Sequence, residues 1–323
     1  MLLEPLYEQD FLDCSYGFRP RRNAHQALAE VRTAVMARGG RWVLDVDLRK
    51  YFDSIDRAKL REVLDQRVTD GVVRRLIDKW LDAGVSEAGE LHYPELGTPQ
   101  GGVISPYLAN IFLHSVLDKW FIEEVQPRLR RPSTLVRFAD DFVALFGCKE
   151  DADRVLAVLG KRMGKYGLQL HPDKTQLVDF RALRAPSAAS GEPTLPTTFN
   201  FLGFLHVWGT SRRGNRVVRQ QTAKDRFARA LAAISALCQH MRTEPLVDQH
   251  RKLSRRLKGH FAYFGISGNY PRLKALGTEA RRIWKKWLSR RSNKSPVNWA
   301  AFSRIEKLFP LPRPRIIHSY TGT

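Results

Sequence analysis

At 323 residues and 37.1 kDa the chain can bury a large core and divide into two or three lobes. A 43% hydrophobic, 27% charged composition excludes a disordered chain. No apolar run approaches the roughly 18 residues of a membrane span, and the acid-interrupted start MLLEPLYEQDFLDC does not read as a secretory signal. The net charge of +21 is localised: residues 211–323 carry 26 Lys/Arg against 5 Asp/Glu, whereas 1–210 carry 28 of each.

Residues 22–38 read as a helix, with Ala24, Ala27, Leu28, Val31 and Val35 on one face and Gly39-Gly40 as its stop. WVLDVDL (42–48) is short, apolar and alternating, the pattern of a strand. Helical spacing returns over 57–68 and 72–83, and the Gly- and Pro-rich stretch 85–104 reads as turns and loop. Residues 105–124 read as one helix with Pro106 in its first turn. Two apolar runs, 134–138 and 142–146, flank Ala139-Asp140-Asp141 as a hairpin. A helix over 151–166 and strands over 174–180 and 199–208 follow, with 183–198 as an exposed insertion. Beyond 221 the pattern is helical, over 222–240, 246–264, 272–290 and 298–308, before a Pro-rich tail. The expected architecture is α+β followed by an all-α region, with a boundary near 210–220 where the charge also changes.

The basic region is interleaved with Trp208, Phe261, Tyr263, Phe264, Trp284, Trp287 and Trp299. Positive charge that displaces counterions from phosphates, with aromatic faces for bases, points to nucleic acid; a single basic cluster would read equally as a solvated helix face. No segment has the pattern of a basic amphipathic membrane anchor. Cys14, Cys148 and Cys238 are odd in number and far apart, which suggests a reducing compartment and offers no zinc-ligand spacing.

Asp47 ends a strand, and Asp140-Asp141 lies in a hairpin turn. If both belong to one sheet, three carboxylates meet at its edge. Such carboxylates repel unless a cation or raised pKa values relieve them, and oxygen-only ligands suit Mg²⁺. An Asp-Asp pair alone also reads as ordinary turn chemistry.

Ordered motifs extend this reading. FLDCSYGFRPRRNAHQAL (11–28), WVLDVDLRKYFDSID (42–56), GTPQGGVISPYLANIFLH (97–114), VRFADD (136–141), LQLHPDKT (168–175), FNFLGF (199–204) and LSRRLKGHFAYFG (253–265) occur in the order of conserved blocks of group II intron reverse transcriptases. The chain resembles that family over nearly its whole length. The resemblance implies partial fingers and a palm with an antiparallel sheet over 1–210, then a basic helical thumb or maturase domain over 211–323. It implies an RNA-directed DNA polymerase working by two-metal nucleotidyl transfer, with maturase activity.

The resemblance also assigns roles. Asp47, Asp140 and Asp141 would be the catalytic ligands of two Mg²⁺ ions, with the Leu48 carbonyl a further ligand. Phe52 would exclude a ribose 2′-hydroxyl, although its spacing equally fits a core aromatic. Gln100 and Gly101 would meet the incoming nucleotide, and Lys174 its phosphates, unless Lys174 is simply solvated. Phe201, Leu202, Gly203 and Phe204 would grip the primer terminus. Arg19 and Arg22 would contact template or nucleotide phosphates, or else form structural ion pairs. Arg255, Arg256 and Lys258 would face nucleic acid.

Phe138 stands where the family usually has Tyr, a change that keeps the ring and spares the ligands. The resemblance begins within the second block, so the upstream blocks that form most of the fingers are expected to be missing. A complementing upstream fragment or a second copy of the chain would then be a partner, besides intron RNA, a DNA target or primer and deoxynucleoside triphosphates. No HNH endonuclease is expected. A bacterial cytoplasmic, nucleoid-associated location goes with these partners. Two other readings remain at this stage: a maturase that binds RNA without polymerising, and a retron-type, defence-associated or CRISPR-linked relative.

Overall fold

The computed structural model describes residues 3–82, 85–87, 90–92, 104–181, 197–211, 213–291 and 296–319. The chain divides into two compact units, Met1–Leu202 and Gly203–Thr323.

In the first unit a short helix α1 (Glu4–Tyr7) precedes α2 (Ala24–Ala37) and strand β1 (Trp42–Val46). Helices α3 (Tyr51–Ser54), α4 (Arg57–Asp65) and α5 (Gly71–Asp82) lead to the short antiparallel pair β2 (Val85–Glu87) and β3 (Glu90–His92). Helix α6 (Ser105–Leu113) runs into a π-wound segment, His114–Val125. The hairpin β4 (Ser133–Phe138) and β5 (Asp141–Phe146), α7 (Lys149–Lys165), β6 (Gln176–Asp179) and β7 (Phe199–Phe201) complete the unit.

Local chemistry sets the helix starts. Asn23 and Gln26 form a reciprocal capping box on α2, and the Asp56 carboxylate accepts from the Ala58 and Lys59 amides at the start of α4. Asp70 accepts likewise from Val72 and Val73, and Pro106 occupies the first turn of α6, where a missing N–H costs nothing.

β1, β4, β5 and β6 form one antiparallel sheet in the order β4-β5-β1-β6. Alternation divides its residues between two faces. Leu44, Val46, Leu135, Phe142, Ala144, Phe146 and Leu177 join the core built with α6, the π-wound segment and α7. Val43, Val136, Val143, Leu145 and Val178 lie on the opposite face and are fully buried, with α2 packed over β4 and β5.

Two expectations change. The stretch 85–104 includes the pair β2–β3, so it is not all loop. The helix expected over 105–124 is α-wound only to Leu113; apolar spacing does not distinguish the two windings, because both keep an inward face.

The second unit opens with an antiparallel hairpin, β8 (Phe204–Thr210) and β9 (Arg216–Thr222). The sequence reading leaves β9 unassigned and starts the helices directly; its alternation VVRQQT is too polar to stand out. The units accordingly divide at 202/203, before the charge change, because the hairpin belongs with the helices that follow it. Helices α8 (Lys224–His240), α9 (Leu246–Phe264), α10 (Tyr270–Leu288) and α11 (Trp299–Leu308) pack around Ile234, Leu253, Leu257, Phe261, Leu276, Trp284 and Phe302. The buried Asn269 amide ties hairpin to bundle, accepting from the Thr222 N–H and donating to the Thr222 hydroxyl and the Phe264 carbonyl. Among the described residues no helix is long and apolar enough to cross a membrane.

Candidate active site

The register of the sheet brings together residues distant in sequence. β1 pairs with β5 so that Asp45 faces Val143 and Val46 faces Phe142; continuing by one residue sets Asp47 opposite Asp141. β4 sets Phe138 opposite Asp141. On the other side of β1, Asp45 faces Gln176; residues 172–174 before it form a turn, from which the Lys174 side chain reaches Asp47. One sheet face therefore carries the row Phe138, Asp141, Asp47, which Lys174 joins from the turn before β6, and next to it the row Val136, Val143, Asp45, Gln176. Lys174 Nζ lies 2.6 Å from Asp47 Oδ2, and Gln176 Nε2 donates to Asp45 Oδ2 at 3.3 Å.

Leu48 is placed by the same logic. It bridges Leu170 while the flanking bonds run from His171 N–H to the Asp47 carbonyl and from Arg49 N–H to the Gln169 carbonyl. In that antiparallel arrangement Leu48's own carbonyl points away from residues 169–171, towards the side of β1 where the Asp140-Asp141 turn lies.

The carboxylates perturb one another. Burial, then the charge of Asp45, pushes Asp141 up to about 7, with Asp140 and Asp47 adding to the rise and a hydrogen bond from the Leu202 N–H opposing it. Burial pushes Asp45 up to about 7 as well; the Gln176 hydrogen bond opposes this and the charge of Asp47 adds to it. Asp140 is raised by burial and by Asp47, against its own backbone N–H and the Arg137 charge. Asp47 is turned towards Lys174, and among the described residues no three His, Cys, Asp or Glu side chains close on one point. The residues nonetheless fit a divalent cation in kind: hard oxygen donors, crowded on a rigid frame, whose mutual repulsion a cation would relieve.

The turn itself is tightly built. Ala139 has left-handed backbone, with φ 57°. Gly17 packs against it so closely that a Cβ at that position would sit 2.4 Å from the Ala139 nitrogen, so only glycine fits.

A family profile described as "Reverse transcriptase (RNA-dependent DNA polymerase)" matches residues 1–206. The chain belongs to the reverse transcriptase family. This reverse transcriptase is 30% identical over 269 residues to protein YkfC of Escherichia coli (strain K12), covering 73% of this chain and 66% of YkfC. It is 28% identical over 312 residues to the group II intron-encoded protein LtrA of Lactococcus lactis subsp. cremoris, covering 96% of this chain and 46% of LtrA. The chain thus spans between about half and two thirds of the length of these relatives. Candida albicans telomerase, solved with a fragment of telomeric RNA, has a similar fold at 12% identity and a TM-score of 0.50, over 95% of this chain and 53% of the telomerase chain.

The remaining expected residues of this reverse transcriptase fall into several groups. Gln100 and Gly101 lie outside the described residues. Phe52 is partly buried against the core, its ring 5.3 Å from that of Tyr51. Lys174, expected at phosphates, is paired with Asp47. Arg19 does not face outwards: its guanidinium is buried, paired with Glu8 and donating to the Leu12 and Ser15 carbonyls, where it ties down residues 8–15. Arg22 pairs with Asp13 and lies over the Tyr16 ring. Arg19 thus serves a structural role, because the chain supplies it with acceptors nearby, whereas Arg22 stays part-exposed beside an exposed carboxylate.

Phe201 is buried at the end of the first unit, and Leu202 and Gly203 both have left-handed backbone at the unit boundary. Phe204 is buried in the second unit against the Tyr263 and Phe264 rings. Arg255, Arg256 and Lys258 are exposed on α9. Of the aromatics expected to stack on bases, Phe261 and Trp284 instead belong to the core, whereas Trp299 is 52% exposed beneath Lys285. Sequence reasoning missed Asp45 and Gln176, although the i, i+2 spacing of Asp45 and Asp47 on a strand marks one face. It also missed Arg137, Asp118 and Asn110, for which no local pattern exists.

Proposed function

We propose that this chain is the RNA-directed DNA polymerase and maturase of a group II intron, copying intron RNA into DNA from a primer at a DNA target. The observation that supports it most is the row of Asp141, Asp47 and Lys174, with the Leu48 carbonyl turned to the same side. The family match and the similarity to LtrA along nearly the whole chain support the intron assignment.

On this reading Asp47, Asp140, Asp141 and the Leu48 carbonyl hold two Mg²⁺ ions. When bound, these supply the charge that activates a primer 3′-hydroxyl and stabilises departing pyrophosphate. Asp141, half-buried and anchored by the Leu202 N–H, is the rigid member of the set; Asp47, partly exposed, is the one that exchanges partners. Lys174 leaves Asp47 for the nucleotide triphosphate, a short movement of an exposed ammonium that frees the Asp47 carboxylate for a cation. Phe52 stands at the sugar and selects deoxynucleotides, while Gln100 and Gly101 meet the nucleotide. The exposed Arg255, Arg256 and Lys258 contact the RNA phosphates. Action at a DNA target implies a nucleoid-associated protein.

Primer extension on an RNA template with Mg²⁺ and deoxynucleotides tests the proposal. Extension should be lost in the Asp140→Ala, Asp141→Ala double variant; activity that survives it refutes the site. A second reading, a maturase that binds RNA without polymerising, is favoured by the concentration of the whole +21 charge in residues 211–323. It forecasts steeply salt-dependent RNA binding and splicing that ignore the same double substitution.

A further inference from the structure

Arg137 is fully buried two residues before Ala139, where the turn begins, on the face of β4 turned to α6 and the π-wound segment. A guanidinium has five N–H donors, and burial makes each unpaired one costly. All five are matched. Nε and Nη2 donate to the two carboxylate oxygens of Asp118 at 2.7 and 2.5 Å; Nη2 also donates to the Ser15 hydroxyl at 2.8 Å. Nη1 donates to the Asn110 side-chain oxygen at 2.6 Å and to the Ala139 carbonyl at 3.0 Å.

Besides Ala139 in the turn, these acceptors come from three separate parts of the first unit. Asp118 lies in the π-wound segment and is itself fully buried. Asn110 lies in α6, and its amide also donates to the Gly17 carbonyl at 3.0 Å. Ser15 belongs to the segment that pairs with the outer edge of β4, where Arg137 N–H donates to the Cys14 carbonyl and Tyr16 N–H to the Arg137 carbonyl, both at 2.8 Å. Through Gly17 that segment presses on Ala139 from outside, while the guanidinium holds the Ala139 carbonyl from inside. The residue gripped from both sides is the one in left-handed backbone, a conformation an L-alanine does not keep unless its surroundings impose it.

We infer that Arg137 is a positioning residue for the catalytic carboxylates: its Nη1 bond to the Ala139 carbonyl fixes the strained turn and thereby sets where Asp140 and Asp141 stand relative to Asp47. The ion pair with Asp118 secures the guanidinium, and Asn110 aims Nη1 at the turn. The inference rests on the polymerase reading only for its kinetic consequence; its structural consequence is the affinity of the carboxylate row for a divalent cation.

Two substitutions separate this role from general stabilisation. Arg137→Lys keeps a cation for Asp118 but cannot span all five acceptors, so the bond to Ala139 is lost. Ser15→Ala removes a bond from the same guanidinium at the end remote from the turn. Mn²⁺ binding to the full chain, without nucleic acid, is read by electron paramagnetic resonance, alongside kcat and KM for deoxynucleotide in primer extension. Arg137→Lys should weaken Mn²⁺ binding and lower kcat by about tenfold or more, with KM and primer–template affinity within about twofold, because a misplaced ligand costs rate at unchanged substrate binding. Ser15→Ala should leave all four near wild type. If Arg137→Lys fails to fold, Asn110→Ala, which leaves the guanidinium and its partner in place, takes over the same test with the same expectation. An Arg137→Lys protein with wild-type Mn²⁺ affinity and kcat overturns the inference, as does a Ser15→Ala protein equally impaired. A wild-type chain that binds Mn²⁺ but extends no primer refutes the polymerase reading, and the Mn²⁺ comparison still decides the role of Arg137. A wild-type chain that binds no Mn²⁺ overturns both.

Discussion

Replacing Asp45 by Asn should stabilise the protein, and only where the carboxylate is ionised. Burial and the neighbouring Asp47 raise Asp45 from 3.8 to about 7, so the folded state holds its proton more tightly than the unfolded chain does. For a raised carboxyl the favourable contribution is complete below the unfolded value and is lost as pH rises through the folded one. At ~1.36 kcal/mol per tenfold in proton affinity, the rise corresponds to at most ~4 kcal/mol. Part of that is repulsion shared with Asp141 and Asp47, so about 2 kcal/mol is the amount expected for Asp45 alone. Asn keeps the shape and the hydrogen-bonding partner Gln176 but carries no charge. Urea unfolding in the presence of EDTA, followed by circular dichroism, should show Asp45→Asn about 2 kcal/mol more stable than wild type at pH 8.5 and nearly equal to it at pH 4. An equal gain at both values would assign the effect to packing. A loss at pH 8.5 would refute the view that the row repels itself.

Other outcomes follow from the same geometry. Phe52→Ala should raise ribonucleotide incorporation relative to deoxynucleotide by about tenfold or more, measured as the ratio of kcat/KM values; an unchanged ratio would make Phe52 purely a core residue. Replacing Arg255, Arg256 and Lys258 together by Ala should reduce the slope of log affinity for RNA against log salt by about 2–3, without shifting the melting temperature appreciably, because all three are exposed. Trp284→Ala should destabilise the second unit by roughly 3–5 kcal/mol in urea unfolding, since the ring is fully buried and its Nε1–H donates to the buried Gln249 side chain.

The legible parts of this chain are those with short-range signatures. The alternation of WVLDV marks β1, the apolar face from Ala24 to Val35 and the break at Gly39-Gly40 mark α2, and Ala139-Asp140-Asp141 between two apolar runs marks the hairpin. The motifs carried the three aspartates. Spacing did not yield the alignment of β1 between β5 and β6, which puts Lys174 against Asp47 and Asp45 against Gln176, since pairing partners are set by the assembled sheet. The choice between the two readings of Arg19 was not legible for a related reason: besides Glu8, the acceptors that hold it are backbone carbonyls, which carry no residue identity. Trp284 illustrates the converse. Basic neighbours made it look like a stacking surface, but the helical period turns those neighbours outwards and the ring inwards.

The placement of Asp45 and Asp47 two residues apart has a consequence for how the sheet assembles. If β1 slipped by one residue against its neighbours, both acids would turn to the opposite face, among Phe142, Ala144 and Phe146, and Leu44 and Val46 would turn out of the core. Burying two unpaired carboxylates there would cost several kcal/mol each. A uniformly apolar strand would tolerate the misalignment far better. The acidic pair that weakens the finished sheet thus proofreads its construction, discarding the shifted pairing before the site can form in the wrong frame.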